Sequence, residues 1–197
     1  TCLTQGHSES LLYAAAGICL IGVYACFSLT QHAARSDGRI RRVFATVSIV
    51  SAGCTAWATH MVALLAYQPG VLAAFEPVLL ALSLLIVVAG LALSMSLVMG
   101  RKERRHRVYA GVLIALSIAA LHYIGQASYL VTGQVHWDPG FVTGSIAFSL
   151  PIFVAAMVIA GERNRYLRLL APPLLVAAIA VLHVMGMTAL ELVYDPR

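Results

Sequence analysis

Long apolar runs, broken by short polar or basic stretches, set the pattern of this chain. Six of the runs are long enough to cross the core of a bilayer, which takes about 20 helical residues. They are Leu11–Gln31, Val43–Tyr67, Val78–Met99, Val108–Val131, Val142–Ala160 and Leu167–Val193. Lipid satisfies no backbone N–H or C=O, so each span must be a closed barrel strand or a helix. The runs are about twice the length of a barrel strand, and the pattern therefore predicts six helices. Pro77 precedes the third run, and Pro172 and Pro173 fall in the first turns of the sixth, where a missing N–H costs little. Pro151 lies inside the fifth run and is expected to kink it. The first run is too long for a cleaved signal peptide, and no basic residues precede it.

Composition sharpens this picture. Of 197 residues, 60% are apolar and 11% charged, and the mean hydropathy is +0.87. Soluble domains carry about 45–50% apolar and about 25% charged residues, so a water-soluble enzyme, a disordered segment and a nucleic-acid binder are all excluded. Four cysteines are too few for a disulfide scaffold, and Cys19, Cys26 and Cys54 lie in apolar runs. Cys54 reads as a small core residue.

The formal charge of +5 becomes informative once the charges are located. Arg35, Arg39, Arg41 and Arg42 follow the first run; Arg101, Lys102, Arg104, Arg105 and Arg107 follow the third; Arg163, Arg165 and Arg168 follow the fifth. Twelve of the thirteen basic residues thus sit in alternate loops, and Arg197 is the exception. By the positive-inside rule these loops are cytoplasmic and both termini lie outside. The basic runs are topology signals beside anionic headgroups, and nucleic acid is not an expected partner.

One unit occurs three times: helix, basic loop, helix, short polar outer loop. Its copies span about 8–67, 77–131 and 142–193. The second helix of each copy carries a histidine near its outer end: His60, His122 and His183, 62 and 61 residues apart. Two crossings per unit give all copies one orientation, as in parallel repeats related by an axis along the membrane normal. The fold class that follows is an all-α integral membrane bundle, three helical hairpins in a pseudo-threefold arrangement, forming one domain over 1–197. At about 1.5 Å per residue the histidines lie roughly 10–15 Å below the outer boundary.

An imidazole at that depth needs a partner. A single membrane histidine is more often a helix–helix hydrogen-bond partner than a ligand, but three at one depth, directed at one axis, reverse that balance. Three imidazoles with an open fourth position suit copper or zinc, not calcium or magnesium. Positions i+4 share the histidine's helix face and hold Leu64, Gln126 and Met187. Only the His183–Met187 pair joins imidazole to thioether, a combination that favours Cu(I). Positions i+3 are Ala63, Gly125 and Gly186, small enough to let a neighbouring backbone approach or to leave room beside the ring. Met61 and Met185 read as apolar fillers within reach of the site, and Trp57 as packing.

At these three motifs the sequence resembles the MHYT family, named for a repeated Met-His-Tyr-Thr-like signature on alternate membrane helices. The resemblance covers nearly the whole chain: Thr59-His60-Met61, Leu121-His122-Tyr123 with Gly125, and Leu182-His183-Val184 with Gly186 and Met187, together with Gly6-His7 and Val23-Tyr24-Ala25 at the start. Thr59, Leu121 and Leu182 replace the leading methionine, and Leu64 and Gln126 replace two trailing ones. The resemblance implies a sensor in the bacterial inner membrane, with copper held near the outer face by histidine and methionine and O2, CO or NO as candidate signals. It also implies a cytoplasmic output module of the cyclic-di-GMP turnover type. Carried over residue by residue, the ligands are His60, His122, His183, His7 and Met187, with Tyr123, Gln126, Met61 and Met185 beside them. The missing methionines make zinc an alternative to copper. His7 is either a fourth ligand folded over the bundle mouth or a solvated terminal histidine. His136 is expected to be exposed beside Trp137, and His32 and His106 go with the basic loops.

Six crossings bring the C-terminus out on the outer side, so a cytoplasmic output module requires a further crossing. The chain is expected to be an excised domain or one that signals through a partner. The competing reading is an intramembrane zinc hydrolase on the same three histidines. It would want a carboxylate or hydroxyl as general base, and Glu9, Glu76, Asp138, Glu191 and Asp195 all lie at or beyond helix ends. Ser128 and Thr59 are the hydroxyls within reach. Proton-coupled transport wants intramembrane carboxylates, which these helices lack, and three histidines at one depth fit a bis-histidine haem poorly.

Overall fold

The computed structural model describes residues 9–66, 73–99, 101, 103–131 and 134–193. Six spans are long and apolar enough to cross a membrane, and the protein is a multi-pass membrane protein. In chain order they are α1 (Glu9–Arg35), α2 (Gly38–Ala66), α3 (Pro77–Val98), α4 (Arg104–Ala127), α5 (Pro139–Ile159) and a last span built from α6 (Arg165–Arg168) and α7 (Ala171–Thr188). Four short strands accompany them: β1 (Ala73–Phe75), β2 (Tyr129–Val131), β3 (Gln134–Trp137) and β4 (Leu190–Val193).

The helices form a ring. Each hairpin packs on itself (α1 on α2, α3 on α4, α5 on α7), α2 meets α3, α4 meets α5, and α7 closes onto α1. Inside the ring α4 touches both α2 and α7. It is the most enclosed span, with half of its most apolar window buried. Val87, Ala115, Ile118, Leu121, Phe153 and Leu182 fill the centre. Large apolar side chains such as Tyr13, Ile21, Val78, Leu85 and Phe148 point outward, as a lipid-facing surface requires. Because hydrocarbon gives helices little hydrophobic reason to associate, small residues and side-chain hydrogen bonds do more of the joining. Thr30 Oγ1 and Ser48 Oγ lie 2.8 Å apart between α1 and α2, and Ser94 Oγ donates to the Ala110 carbonyl across α3 and α4 at 3.2 Å.

The second and third hairpins are built alike. Glu76 and Asp138 are N-caps with proline at the next position, and their carboxylates accept from backbone N–H groups of the first turn. Glu76 N donates to Ser128 O at 2.8 Å and Asp138 N to Ala189 O at 3.0 Å. These bonds tie the start of each hairpin to its end. The ties continue as antiparallel ribbons, β1 with β2 and β3 with β4. Each of these repeats is therefore strand, helix, helix, strand, sealed at the end where the ribbons pair.

The ribbons correct the expected spans. Sequence pattern carries the fourth helix to Val131 and the sixth to Val193, whereas the helices stop at Ala127 and Thr188 and the chain turns into β2 and β4. The sixth span is also divided at Leu169–Leu170. Pro172 and Pro173 supply no N–H to the carbonyls one turn back, so the helix cannot run through that point unbroken. Pro151 lies inside α5, which continues as one helix around it. Cys54, read as core, is exposed, because its side of α2 meets no neighbouring helix. His7 and the predicted end of the second span at Tyr67 fall outside the described residues.

Candidate metal centre

His60, His122 and His183 come from the inner helices α2, α4 and α7, one per hairpin, and meet in the middle of the ring. One ring nitrogen from each lies within 4.8 Å of the other two. The ring centroids are 4.9 Å apart for His60 and His122, 5.2 Å for His122 and His183, and 5.9 Å for His60 and His183. The planes are steeply inclined to one another, at 66°, 81° and 83°, so the rings meet edge to face and do not stack. His60 and His122 are 5% and 3% exposed, and His183 is half-buried.

The small residues at i+3 explain how the rings fit. A methyl group on Gly125 of α4 would stand 2.6 Å from His60 Nε2, and one on Gly186 of α7 would press still closer on His122 Nε2. Each of these imidazoles therefore rests against the backbone of the next inner helix, in the same sense around the axis. Ala63, fully packed on α2, holds the third equivalent position. Such a cyclic arrangement is what threefold repetition generates.

The histidines stand closer to their helix ends than the sequence pattern implies. They precede the last residues of α2, α4 and α7 by five or six positions, or about 8–9 Å of rise. In the second and third hairpins, what was counted as further helix is the ribbon layer.

The surroundings divide the other predicted residues. Tyr123 packs edge-on against His122 at 5.0 Å and against Trp137 at 5.7 Å. Its hydroxyl pairs with Ser145 Oγ at 2.5 Å, which links α4 to α5. Gln126, 2% exposed, donates from Nε2 to Met187 Sδ at 3.2 Å and so joins α4 to α7 one turn outward of the histidines. Met61 lies near Gly125, and Met185 near Gly144 on α5. Trp57 packs against the core cluster. His136 and His32 are exposed, the latter with its Nδ1 on the Ser28 carbonyl, and His106 lies near Glu103. Two contacts had no sequence signal of their own: Ser145 lies on a helix without a motif, and the Gln126–Met187 bond joins residues 61 apart. The equal spacing of the repeats is the only hint that the latter pair meets.

The chemistry of the donors fits a transition-metal ion. Neither His60 Nε2 nor His122 Nε2, both buried, has a hydrogen-bond partner, and an unpaired buried polar atom is costly unless something else binds it. Atoms no more than 4.8 Å apart lie within about 2.8 Å of a common centre, the circle that encloses a triangle of that side. Metal–nitrogen bonds are about 2.0–2.1 Å, so small ring rotations close the difference. No carboxylate or thiol joins the group among the described residues. Of the carboxylates weighed for a hydrolase, Glu76 and Asp138 are committed to helix caps.

Comparison with known proteins places the chain. The MHYT family, described as a bacterial signalling protein N-terminal repeat, matches residues 53–111 and 116–172, stretches that take in His60 and His122. A signalling protein of Caulobacter vibrioides is 30% identical over 99% of the chain and 24% of its own length. The cyclic di-GMP phosphodiesterase NbdA of Pseudomonas aeruginosa is 29% identical over 94% of the chain and 25% of its own length. From the same organism, the bifunctional diguanylate cyclase/cyclic di-GMP phosphodiesterase MucR is 26% identical over 96% of the chain and 29% of its own length. The chain thus spans about a quarter of the curated relatives it matches. No solved structure matches it.

Proposed function

The chain belongs to the MHYT family of bacterial signalling proteins, and from that premise we propose that it is a membrane sensor whose signal is read at a metal ion held by His60, His122 and His183. The carrying observation is the convergence of three imidazole nitrogens within 4.8 Å, two of the rings holding a buried Nε2 that nothing in the protein satisfies. An N3 donor set with room for one more ligand suits copper first, and zinc as the alternative. A bound copper ion would supply an open coordination position for a small diatomic such as O2, CO or NO. The protein's own residues provide the rest. Gly125 and Gly186 seat the rings, Tyr123 and Trp137 wall one side, and Gln126 and Met187 close the layer above.

The relatives named for cyclic-di-GMP turnover supply the direction of output. Ligand binding at the outer end would bias how α2, α4 and α7 pack, and the same helices carry that bias to the basic cytoplasmic loops. There it reaches an output module or partner protein in the bacterial inner membrane. Metal analysis of the purified protein, with its visible and paramagnetic resonance spectra, tests the reading. The intact protein is expected to hold one copper or zinc ion, His122→Ala to hold none, and His136→Ala to hold as much as the parent. If metal content survives the loss of any one of the three clustered histidines, there is no shared site.

A further inference from the structure

One turn outward of the histidines, the three i+4 positions form a second layer: Leu64, Gln126 and Met187. Leu64 offers no donor, and the Met187 sulfur accepts a hydrogen bond from the Gln126 amide at 3.2 Å. That bond fixes which way the amide faces. Its NH2 points at sulfur, and the carbonyl oxygen, Gln126 Oε1, is left buried without a partner. A buried carbonyl oxygen with no hydrogen-bond partner is as anomalous as the two unpaired imidazole nitrogens of His60 and His122. Side chains on a helix lean toward its N-terminus, so Gln126, four residues after His122, leans back over that imidazole.

We propose that Gln126 supplies its carbonyl oxygen as the fourth donor at the three-histidine site, which makes the site an N3O site selective for Zn2+ or Cu2+ over Cu+. The inference rests on the three-histidine metal site of the reading above and adds a ligand and an ion preference to it. The amide oxygen then fills the fourth position, and of the three diatomics NO is the one a Cu2+ form would bind, by displacing that oxygen. A divalent ion such as zinc takes four ligands in a closed site, and an amide oxygen is a known occupant of the weak axial place at copper centres otherwise filled by methionine. Thioether sulfur favours Cu+; oxygen does not. At this site one of the three positions that could bear sulfur is Leu64, one is Gln126, and the third, Met187, has its sulfur held by the Gln126 NH2. Gln126 therefore acts twice: its oxygen faces the ion, and its nitrogen occupies the softer competitor.

The test is competition titration of the full chain, in detergent or bilayer, with Zn2+, Cu2+ and Cu+ separately against chelators of known affinity. The variants are Gln126→Leu, Gln126→Met and His122→Ala. Gln126→Leu is expected to weaken Zn2+ and Cu2+ binding by about tenfold or more with Cu+ binding unchanged or stronger. Gln126→Met keeps the side-chain length and is expected to shift the Cu+ to Cu2+ preference toward Cu+. If both Gln126 variants fold and bind all three ions like the parent while His122→Ala binds none, Gln126 is only a packing residue and this inference fails alone. If His122→Ala still binds the ions, the sensor reading fails and this inference goes with it.

Discussion

At the scale of single residues, the centre depends on what is missing as much as on the imidazoles. His60 and His122 each lie against a glycine of the next helix, and no side chain fits between ring and backbone. Gly125→Ala and Gly186→Ala should therefore displace a ring without unfolding the bundle. Metal affinity is expected to fall by about tenfold or more, with helical content by circular dichroism unchanged; parental affinity in both variants would show that the rings do not need these seats. Tyr123 has a different task. Its hydroxyl bonds Ser145, and Tyr123→Phe is expected to cost about 1 kcal/mol in unfolding free energy with metal content intact, as thermal unfolding in detergent beside metal analysis would record. The small i+3 residues were legible in the sequence because Ala63, Gly125 and Gly186 recur at one offset from the histidines. The face of Cys54 was not, since helical angle alone does not say whether a given side of α2 meets a helix or lipid.

At the scale of elements, the hairpins are punctuated by matched caps. Glu76 accepts from Val78 N at 3.0 Å and Leu79 N at 2.6 Å, and Asp138 accepts from Gly140 N at 2.7 Å. Each cap also begins the backbone tie to the end of its hairpin. Glu76→Ala and Asp138→Ala should each destabilise by about 1 kcal/mol, and because the caps stand in different hairpins the double variant should lose close to the sum. Chemical unfolding in detergent checks this; no loss in either single variant would mean that water replaces the carboxylate without penalty. Six spans and their three-part repetition were readable from length, hydropathy and the 62- and 61-residue intervals between histidines. The ribbons were not. Tyr129-Leu130-Val131 is apolar and Leu190-Glu191-Leu192-Val193 nearly so, and hydropathy cannot separate such a short strand from the last turn of a membrane helix. Only the pairing of β2 with β1 and of β4 with β3 reveals it. The same ambiguity is why the histidines were expected farther from the ends of their helices than they lie.

At the scale of the whole molecule, the bundle is polarised. The histidine centre, the caps and the ribbons occupy one end, and the helix ends and short turns that carry the basic residues of the described chain occupy the other. A bilayer whose cytoplasmic leaflet is anionic holds such a molecule with its basic end inside. In that orientation the imidazoles are expected near the outer surface, where a diffusible ligand would arrive without crossing the cell membrane, and the basic end is expected to face the cytoplasm. Single-cysteine reporters test the orientation on which that division depends. With Cys2, Cys19, Cys26 and Cys54 replaced by serine or alanine, His136→Cys should react with a membrane-impermeant maleimide in intact spheroplasts, since His136 is exposed on the ribbon. Asp37→Cys, in the exposed turn between α1 and α2, should react only after the membrane is opened. The reverse labelling would put the histidine centre on the cytoplasmic side, where it would sample the reducing interior, and a sensor of external ligands would no longer follow from its position.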